Sequence, residues 1–189
     1  PPARMLCPSS EPEAVEAVRS AARHGEILVP VGSGMALEVG NRMRAAKWTA
    51  LSSECLAGII EYSPDDMVIT AGTGTNLAEL QAALAEHNQF LPLDPPFPER
   101  ATLGGIVATN AHGLWRPAYG MPRDRLLGMR VVMADGSVVK AGGKVVKNVA
   151  GYDLCKLFAG SWGTLGFITE VTFKSNPRPQ ATRHLEFAS

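Results

Sequence analysis

The stretch VPVGSGMALEVG, Val29–Gly40, decides how the rest of the chain is read. It follows an apolar run, Ile27–Val31, and sets Gly32, Ser33 and Gly34 in a turn with almost no side chain. Successive backbone amides in such a turn can form an anion-binding nest. Small residues let a pyrophosphate approach the main chain, and Ser33 adds a hydroxyl. No clean amphipathic helix follows, so a helix dipole is not the obvious source of attraction. Upstream, Ser10–Glu11–Pro12–Glu13 has the pattern of a capping box with proline in the first turn. Val15, Val18 and Ala22 recur at helical spacing, and Gly25 supplies a stop. The chain therefore opens as helix, strand, glycine loop.

Downstream, GIIEYS (58–63) and MVITAG (67–72) read as short strands around the turn-former Pro64–Asp65–Asp66. Asn76 caps a second helix, with Glu79 in the reciprocal position and Leu77, Leu80 and Leu84 as its buried stripe. FLPLDPPFPER (90–100) has four prolines and must be a stiff loop. MRVVMADGSVVKAG (129–142) is the clearest hairpin, two β-branched runs around Asp135–Gly136. Asp153 can cap a short helix running to Phe158, and GSWGTLGFITEVTFK (160–174) ends in an alternating strand. An antiparallel hairpin among interleaved helices and strands favours an α+β fold over a doubly wound parallel sheet.

Two further glycine clusters compete for a ligand. Gly72–Thr73–Gly74 follows a strand and opens a helix, and Asp94 stands where a ribose-binding acid would be expected. Leu77 replaces the third glycine, and prolines replace the next strand. A turn that admits positive φ explains this cluster better than an NAD site. At Thr102–Leu103–Gly104–Gly105 a glycine pair opens a short apolar helix, where amides can face an anion or a ring edge. Thr109 and Asn110 add polar groups at its end.

Composition narrows the function. Of 189 residues, 46% are hydrophobic and 19% charged, which is globular; Lys plus Arg equal Asp plus Glu at 18 each, so the basic excess of a nucleic-acid binder is missing. No apolar run is long enough for an integral membrane helix, and no secretory signal pattern opens the sequence. Cys7, Cys55 and Cys155 form no CxxC, so a disulfide framework and an iron–sulfur cluster are not expected, and a reducing compartment is favoured. The four histidines lack metal-ligand spacing, and no metal is expected.

PVGSG, PLDPPFPERATLGGIVATNAHG and KVVKNVAGYDLCKLFAGSWGTLGFITEVTF, in this order, resemble the FAD-binding domain of the vanillyl-alcohol oxidase, or PCMH, type. Within that type, GGKVVKNVAGYDL followed by GSWGTLGFITEV is most similar to the FAD-binding subunits of bacterial glycolate oxidases. The resemblance runs from about Pro30 to Thr172. It implies a two-lobed α+β domain with mixed and antiparallel sheets flanked by helices: residues 1–64 as the first lobe, 65–176 as the second, and 177–189 leading to an absent substrate or cap domain.

The resemblance also implies the cofactor contacts. Pro30, Val31, Gly32, Ser33, Gly34, Met35 and Ala36 would wrap the pyrophosphate. Pro92, Leu93 and Asp94 would border the flavin side. Thr102, Leu103, Gly104, Gly105, Thr109 and Asn110 would contact pyrophosphate and flavin, with Gly113 closing that loop. Gly163, Gly166 and Ile168 would line the adenine or isoalloxazine edge through main-chain groups. The first loop holds no histidine or cysteine for a covalent link, so non-covalent FAD is expected. The implied activity is oxidation of a small 2-hydroxy acid, glycolate foremost, with hydride passing to flavin N5. A second flavoprotein subunit and an iron–sulfur subunit would be partners, in the cytoplasm or peripheral to the inner membrane through those partners.

No catalytic residue is assigned. His112, Arg116, Arg123 and Arg125 are the local candidates, but no base–orienter pair is visible. Lys144 and Lys147 could meet phosphate, although solvated strand-edge lysines are commoner. A flavin-holding structural or electron-relay subunit is the main alternative. A flavin oxidase of lactate or a sugar alcohol, and an NAD module at Gly72–Asp94, are the others.

Overall fold

The computed structural model describes residues 1–40, 47–143, 152–183 and 185. The first strand, β1 (Arg4–Leu6), leads into α1 (Glu11–His24). Ser10 caps α1 by accepting from the Glu13 amide at 3.4 Å. The return half of the box is shifted by one residue: the Ser9 amide and hydroxyl donate to Glu13 at 2.8 and 3.0 Å. Gly25, at φ +64°, ends the helix. The buried face of α1 is Ala14, Val18 and Ala21. With Leu51, Val132 and Phe167 it forms a small core that joins two sheets.

β2 (Leu28–Val31) and β3 (Thr49–Ser52) complete the first sheet, whose order is β1-β3-β2 and whose pairings are all parallel. β1 and β3 escape sequence reading. Both are too short to show alternation, and all four residues of β3 are buried, so no polar partner marks a face.

The second sheet is antiparallel, in the order β4-β5-β9-β7-β8. It contains β4 (Ile59–Ser63), β5 (Val68–Gly72), β7 (Leu126–Val132), β8 (Val138–Gly142) and β9 (Phe167–Lys174). β4 pairs here although its residues fall within 1–64. β9 lies between β5 and β7 and is buried along nearly its whole length rather than on alternate residues. A parallel sheet beside an antiparallel one gives the mixed α+β architecture expected. The main core packs α2 (Leu77–Ala85), through Leu77, Leu80 and Leu84, with Ile69, Val131, Val171 and Phe173 of the sheet. Asn76 caps α2 through the Ala78 amide; its Nδ2 donates to the Glu99 carbonyl, and Glu79 makes no return bond.

β6 (Gln89–Phe90) pairs with β10 (Asn176–Pro177). Between β6 and β7 lie the proline loop and three short helices: α3 (Leu103–Thr109), α4 (Arg116–Tyr119) and α5 (Pro122–Arg125). Asp153 caps α6 (Leu154–Phe158) as the sequence indicates. Lys144, Lys147 and most of the GGKVVKNVAGYDL motif lie outside the described residues.

The cysteine expectation is corrected. Cys7 and Cys55 form a disulfide with Cα atoms 5.7 Å apart, and both are exposed. The cause is the parallel register of β1 on β3, Leu6 opposite Leu51, which sets Cys7 beside the turn that follows β3. Only Cys155 is free among the cysteines. The bias toward a reducing compartment rested on free cysteines and loses that support.

Candidate functional site: a cleft of glycine loops

The first glycine loop leaves the end of β2. Val31 is held there by the Ser53 amide, which donates to its carbonyl at 2.9 Å. Gly34, at φ +78°, turns the chain, and the Leu37 amide closes on the Gly34 carbonyl at 3.1 Å. Met35 folds back onto the main core. Among the described residues, no carbonyl or side chain accepts from the amides of Gly32 through Ala36. Five consecutive donors with small or inward-turned side chains suit a pyrophosphate.

The second loop lies against the first. A Cβ on Gly32 would collide with Thr102 Oγ1, so the two loops touch where glycine stands. Thr102 caps α3 by accepting from Gly105 at 3.4 Å. The amides of Leu103 and Gly104 donate to the carbonyls of Thr75 and Thr73 at 3.0 and 2.9 Å. These amides are therefore engaged, and the expectation that the glycine pair exposes them to a ligand is corrected. Gly104 serves close packing, since a Cβ there would lie 2.8 Å from the Thr73 Cβ. Thr109 donates to the Gly105 carbonyl at 2.7 Å. Asn110 ends α3 in the left-handed region and accepts from the Arg123 amide at 3.2 Å.

The remaining candidates separate into wall and support. Asp94 accepts from the Gly113 and Trp115 amides at 2.9 and 2.7 Å, which fastens the proline loop of Pro92 and Leu93 to the segment after α3. A Cβ on Gly163 would lie 3.1 Å from Pro30, so the loop before β9 reaches the first glycine loop. The Gly160 and Trp162 amides bind that same loop to α3 through the carbonyls of Val107 and Ala108. Gly166 packs on Val131 and the Val132 carbonyl. Ile168 is core, and its carbonyl takes the Thr73 hydroxyl at 2.8 Å. A groove of about 330 Å³ opens beside Pro30 and Gly163, walled by Val18, Leu28, Met133 and Leu165. Apolar walls of this kind suit part of a flat ring system.

His112 accepts nothing further. The Arg116 guanidinium can only donate, so His112 Nε2 accepts from it at 3.2 Å and Nδ1 donates to the Asn110 carbonyl at 3.0 Å. Arg125 is engaged with the Tyr119 carbonyl and Asn176.

Sequence reading missed Ser53, Thr73 and Thr75, which support both loops from below. It also misjudged why Gly72 and Gly74 are glycine. Neither has positive φ; each presses on a carbonyl, Leu56 and Ser53 respectively.

Loops that converge on a run of amides with no acceptor among the described residues, beside an apolar groove, suit a dinucleotide-type cofactor such as FAD. The chain belongs to a family of FAD binding domains, of the PCMH type, whose model matches residues 2–142. It is 46% identical to glycolate oxidase subunit GlcE of Escherichia coli over 136 residues, 71% of this chain and 39% of that protein. It is 33% identical to glycolate oxidase subunit GlcD of Bacillus subtilis over 184 residues, 97% of this chain and again 39% of the relative. A mitochondrial D-lactate dehydrogenase (cytochrome) of Arabidopsis thaliana is 32% identical over 93% of the chain and 30% of its own length. A solved alkyldihydroxyacetonephosphate synthase superposes at a TM-score of 0.81 with 27% identity, covering 94% of this chain and 32% of that one. The chain thus spans well under half of the relatives it matches. Among the described residues, no helix is long and apolar enough to cross a membrane.

Proposed function

We propose that this chain is the FAD-binding part of an oxidoreductase of small 2-hydroxy acids, with glycolate as substrate. The observation that carries the reading is the 46% identity with a glycolate oxidase subunit. Bound FAD would supply the hydride acceptor, at flavin N5. The chain's own residues bind and orient: the amides of Gly32–Ala36 hold the pyrophosphate, and Thr102 sets the spacing between the two glycine loops. Gly163, Gly166 and Ile168 support the adenine or isoalloxazine edge, and the Asp94–Gly113 clasp keeps the flavin side closed to loop movement.

FAD is held non-covalently, because Pro30–Ala36 contains no histidine or cysteine. A second flavoprotein subunit and an iron–sulfur subunit complete the proposed complex; the subunit names of the two glycolate oxidase relatives support an assembly. One observation favours the second reading, a flavin-holding relay subunit with no substrate site of its own. His112, the candidate base in the segment after α3, has both ring nitrogens engaged.

The test is to load the purified chain with FAD, remove the excess, and record the visible spectrum before and after acid precipitation. Yellow colour that acid releases to the supernatant is the expected result. Colour that stays with the precipitate overturns non-covalent attachment, and a chain that takes up no FAD overturns the cofactor reading. Glycolate-dependent bleaching of the loaded chain would exclude the relay reading.

A further inference from the structure

We propose that Cys7–Cys55 is a thiol–disulfide exchange site for a dithiol reductant, and that its state sets how firmly the two glycine loops are held. The effect on FAD affinity rests on the cofactor reading above; the exchange itself does not.

Both sulfur-bearing residues are exposed and lie outside any helix or strand, so an incoming thiolate has access. The remaining cysteine, Cys155, is buried, and burial pushes its thiol up to about 11, which leaves it inert to the same reagent. Cys55 sits in the turn that supports both loops. Two residues before it, the Ser53 amide holds the Val31 carbonyl at 2.9 Å, next to Gly32. One residue after it, the Leu56 carbonyl accepts from Gly74 at 2.9 Å; two further on, Gly58 accepts from Gly72 at 3.0 Å and donates to Thr75 Oγ1 at 2.9 Å. Thr73 and Thr75 then hold the amides of Gly104 and Leu103. The 53–58 turn is therefore bonded on one side to the first glycine loop and on the other to the support of the second. The turn continues directly from β3, and β1, the three-residue edge strand that carries Cys7 at its end, pairs with β3.

In the exchange, one thiolate of the dithiol attacks a sulfur of the bridge. The Cys7–Cys55 bond breaks, a mixed disulfide forms, and the other cysteine leaves as thiolate and takes up a proton. The second thiol of the reductant displaces the mixed disulfide. Two electrons and two protons have passed to Cys7 and Cys55, and the dithiol has become a disulfide. β1 then loses its covalent tie and keeps its pairing with β3 and the packing of Leu6 on the small core, and the 53–58 turn loosens beneath both loops.

The experiment compares the full chain with and without dithiothreitol, without denaturant. N-ethylmaleimide followed by peptide mass analysis should label Cys7 and Cys55 only after reduction and leave Cys155 unlabelled. Amide hydrogen exchange at Ser53, Gly74, Leu103 and Gly104 should quicken about tenfold, and the Kd for FAD, read by flavin fluorescence, should rise about tenfold, a typical coupling between linked sites. The Cys7→Ser/Cys55→Ser variant should match the reduced chain and ignore dithiothreitol. A bridge that resists native reduction overturns the proposal, as do unchanged amide exchange and Kd in a chain whose two thiols are labelled. An oxidised chain that binds no FAD counts against the cofactor reading, and labelling with amide exchange then decides the exchange site by themselves.

Discussion

A single methyl group at position 32 tests the contact on which the cleft depends. The backbone of Gly32 is not left-handed, so alanine is tolerated by the main chain, but its Cβ would occupy the place of Thr102 Oγ1. That hydroxyl caps α3, and displacing it costs about 1 kcal/mol. Gly32→Ala should lower the melting temperature by about 3 °C and weaken FAD binding about tenfold, equivalent to about 1.4 kcal/mol. Adding Thr102→Ala removes the obstructing hydroxyl. The double variant should then lose less stability than the two single losses summed, as a thermal double-mutant cycle would show. Asp94 offers a second test. Its two carboxylate oxygens each accept a backbone amide, so Asp94→Asn turns an NH2 group toward one of those donors. The expected loss is about 1 to 3 kcal/mol, and denaturant titration followed by tryptophan fluorescence would measure it. Equal stability of the Asn variant would remove the clasp from the account.

Among the elements, α1 carries the clearest electrostatic tie. The Glu11 carboxylate accepts from Arg130 Nε at 2.7 Å and Nη2 at 2.5 Å, and from Thr169 at 3.1 Å, which links the first turn of α1 to β7 and β9. The Arg130 hydrogen bond holds the Glu11 carboxyl below its ordinary 4.5, against the opposing effect of burial. A folded value below the unfolded one contributes stability that is present above the unfolded value and lost as pH falls through the folded value. Glu11→Gln should therefore destabilise by about 1 to 2 kcal/mol at neutral pH for a partly exposed pair. That gap should close in melts taken at progressively more acid pH, starting near the ordinary carboxylate value. A gap that stays constant to low pH would sink this account.

What could be read from the chain divides by range. Caps at Ser10, Asn76 and Asp153 are local and visible, because a side chain bonds an amide two or three residues on. The hairpin around Asp135–Gly136 is local too, with Gly136 at φ +76°. The order of glycine motifs revealed the family. What escaped depends on partners far away in sequence. β3 is a strand because β1 and β2 flank it. Gly72 and Gly74 are glycine because carbonyls of another turn press on them. Thr109 and Asn110 looked free for a ligand, yet their side chains hold α3 and the turn at Arg123.

At the scale of the molecule, the disulfide closes a loop of 48 residues around α1 and the first glycine loop. Chain-entropy arguments assign such a closure about 2 to 4 kcal/mol. The Cys7→Ser/Cys55→Ser variant should unfold at correspondingly lower denaturant, with most of the difference reproduced by reducing the natural chain. Identical midpoints would mean that the unfolded chain gains no freedom when the bridge is cut. The same closure explains how so short a strand as β1 keeps its place at a sheet edge.

The position of β9 has a consequence for the birth of the protein. Thr70 of β5 hydrogen-bonds Thr172 of β9, 102 positions later, and β7 reaches β5 only through β9. On the ribosome the earlier strands must wait for that central partner, roughly 5 to 20 s at ordinary elongation rates. Throughout that interval β5 presents an unpaired apolar edge to the cell, and β7 joins it once residues 126–132 have been made. A ribosome-stalled chain ending before Phe167 should therefore be cut readily by protease at these strands, whereas one with Lys174 clear of the exit tunnel should resist. Escort by a chaperone is needed most in the window before β9 emerges.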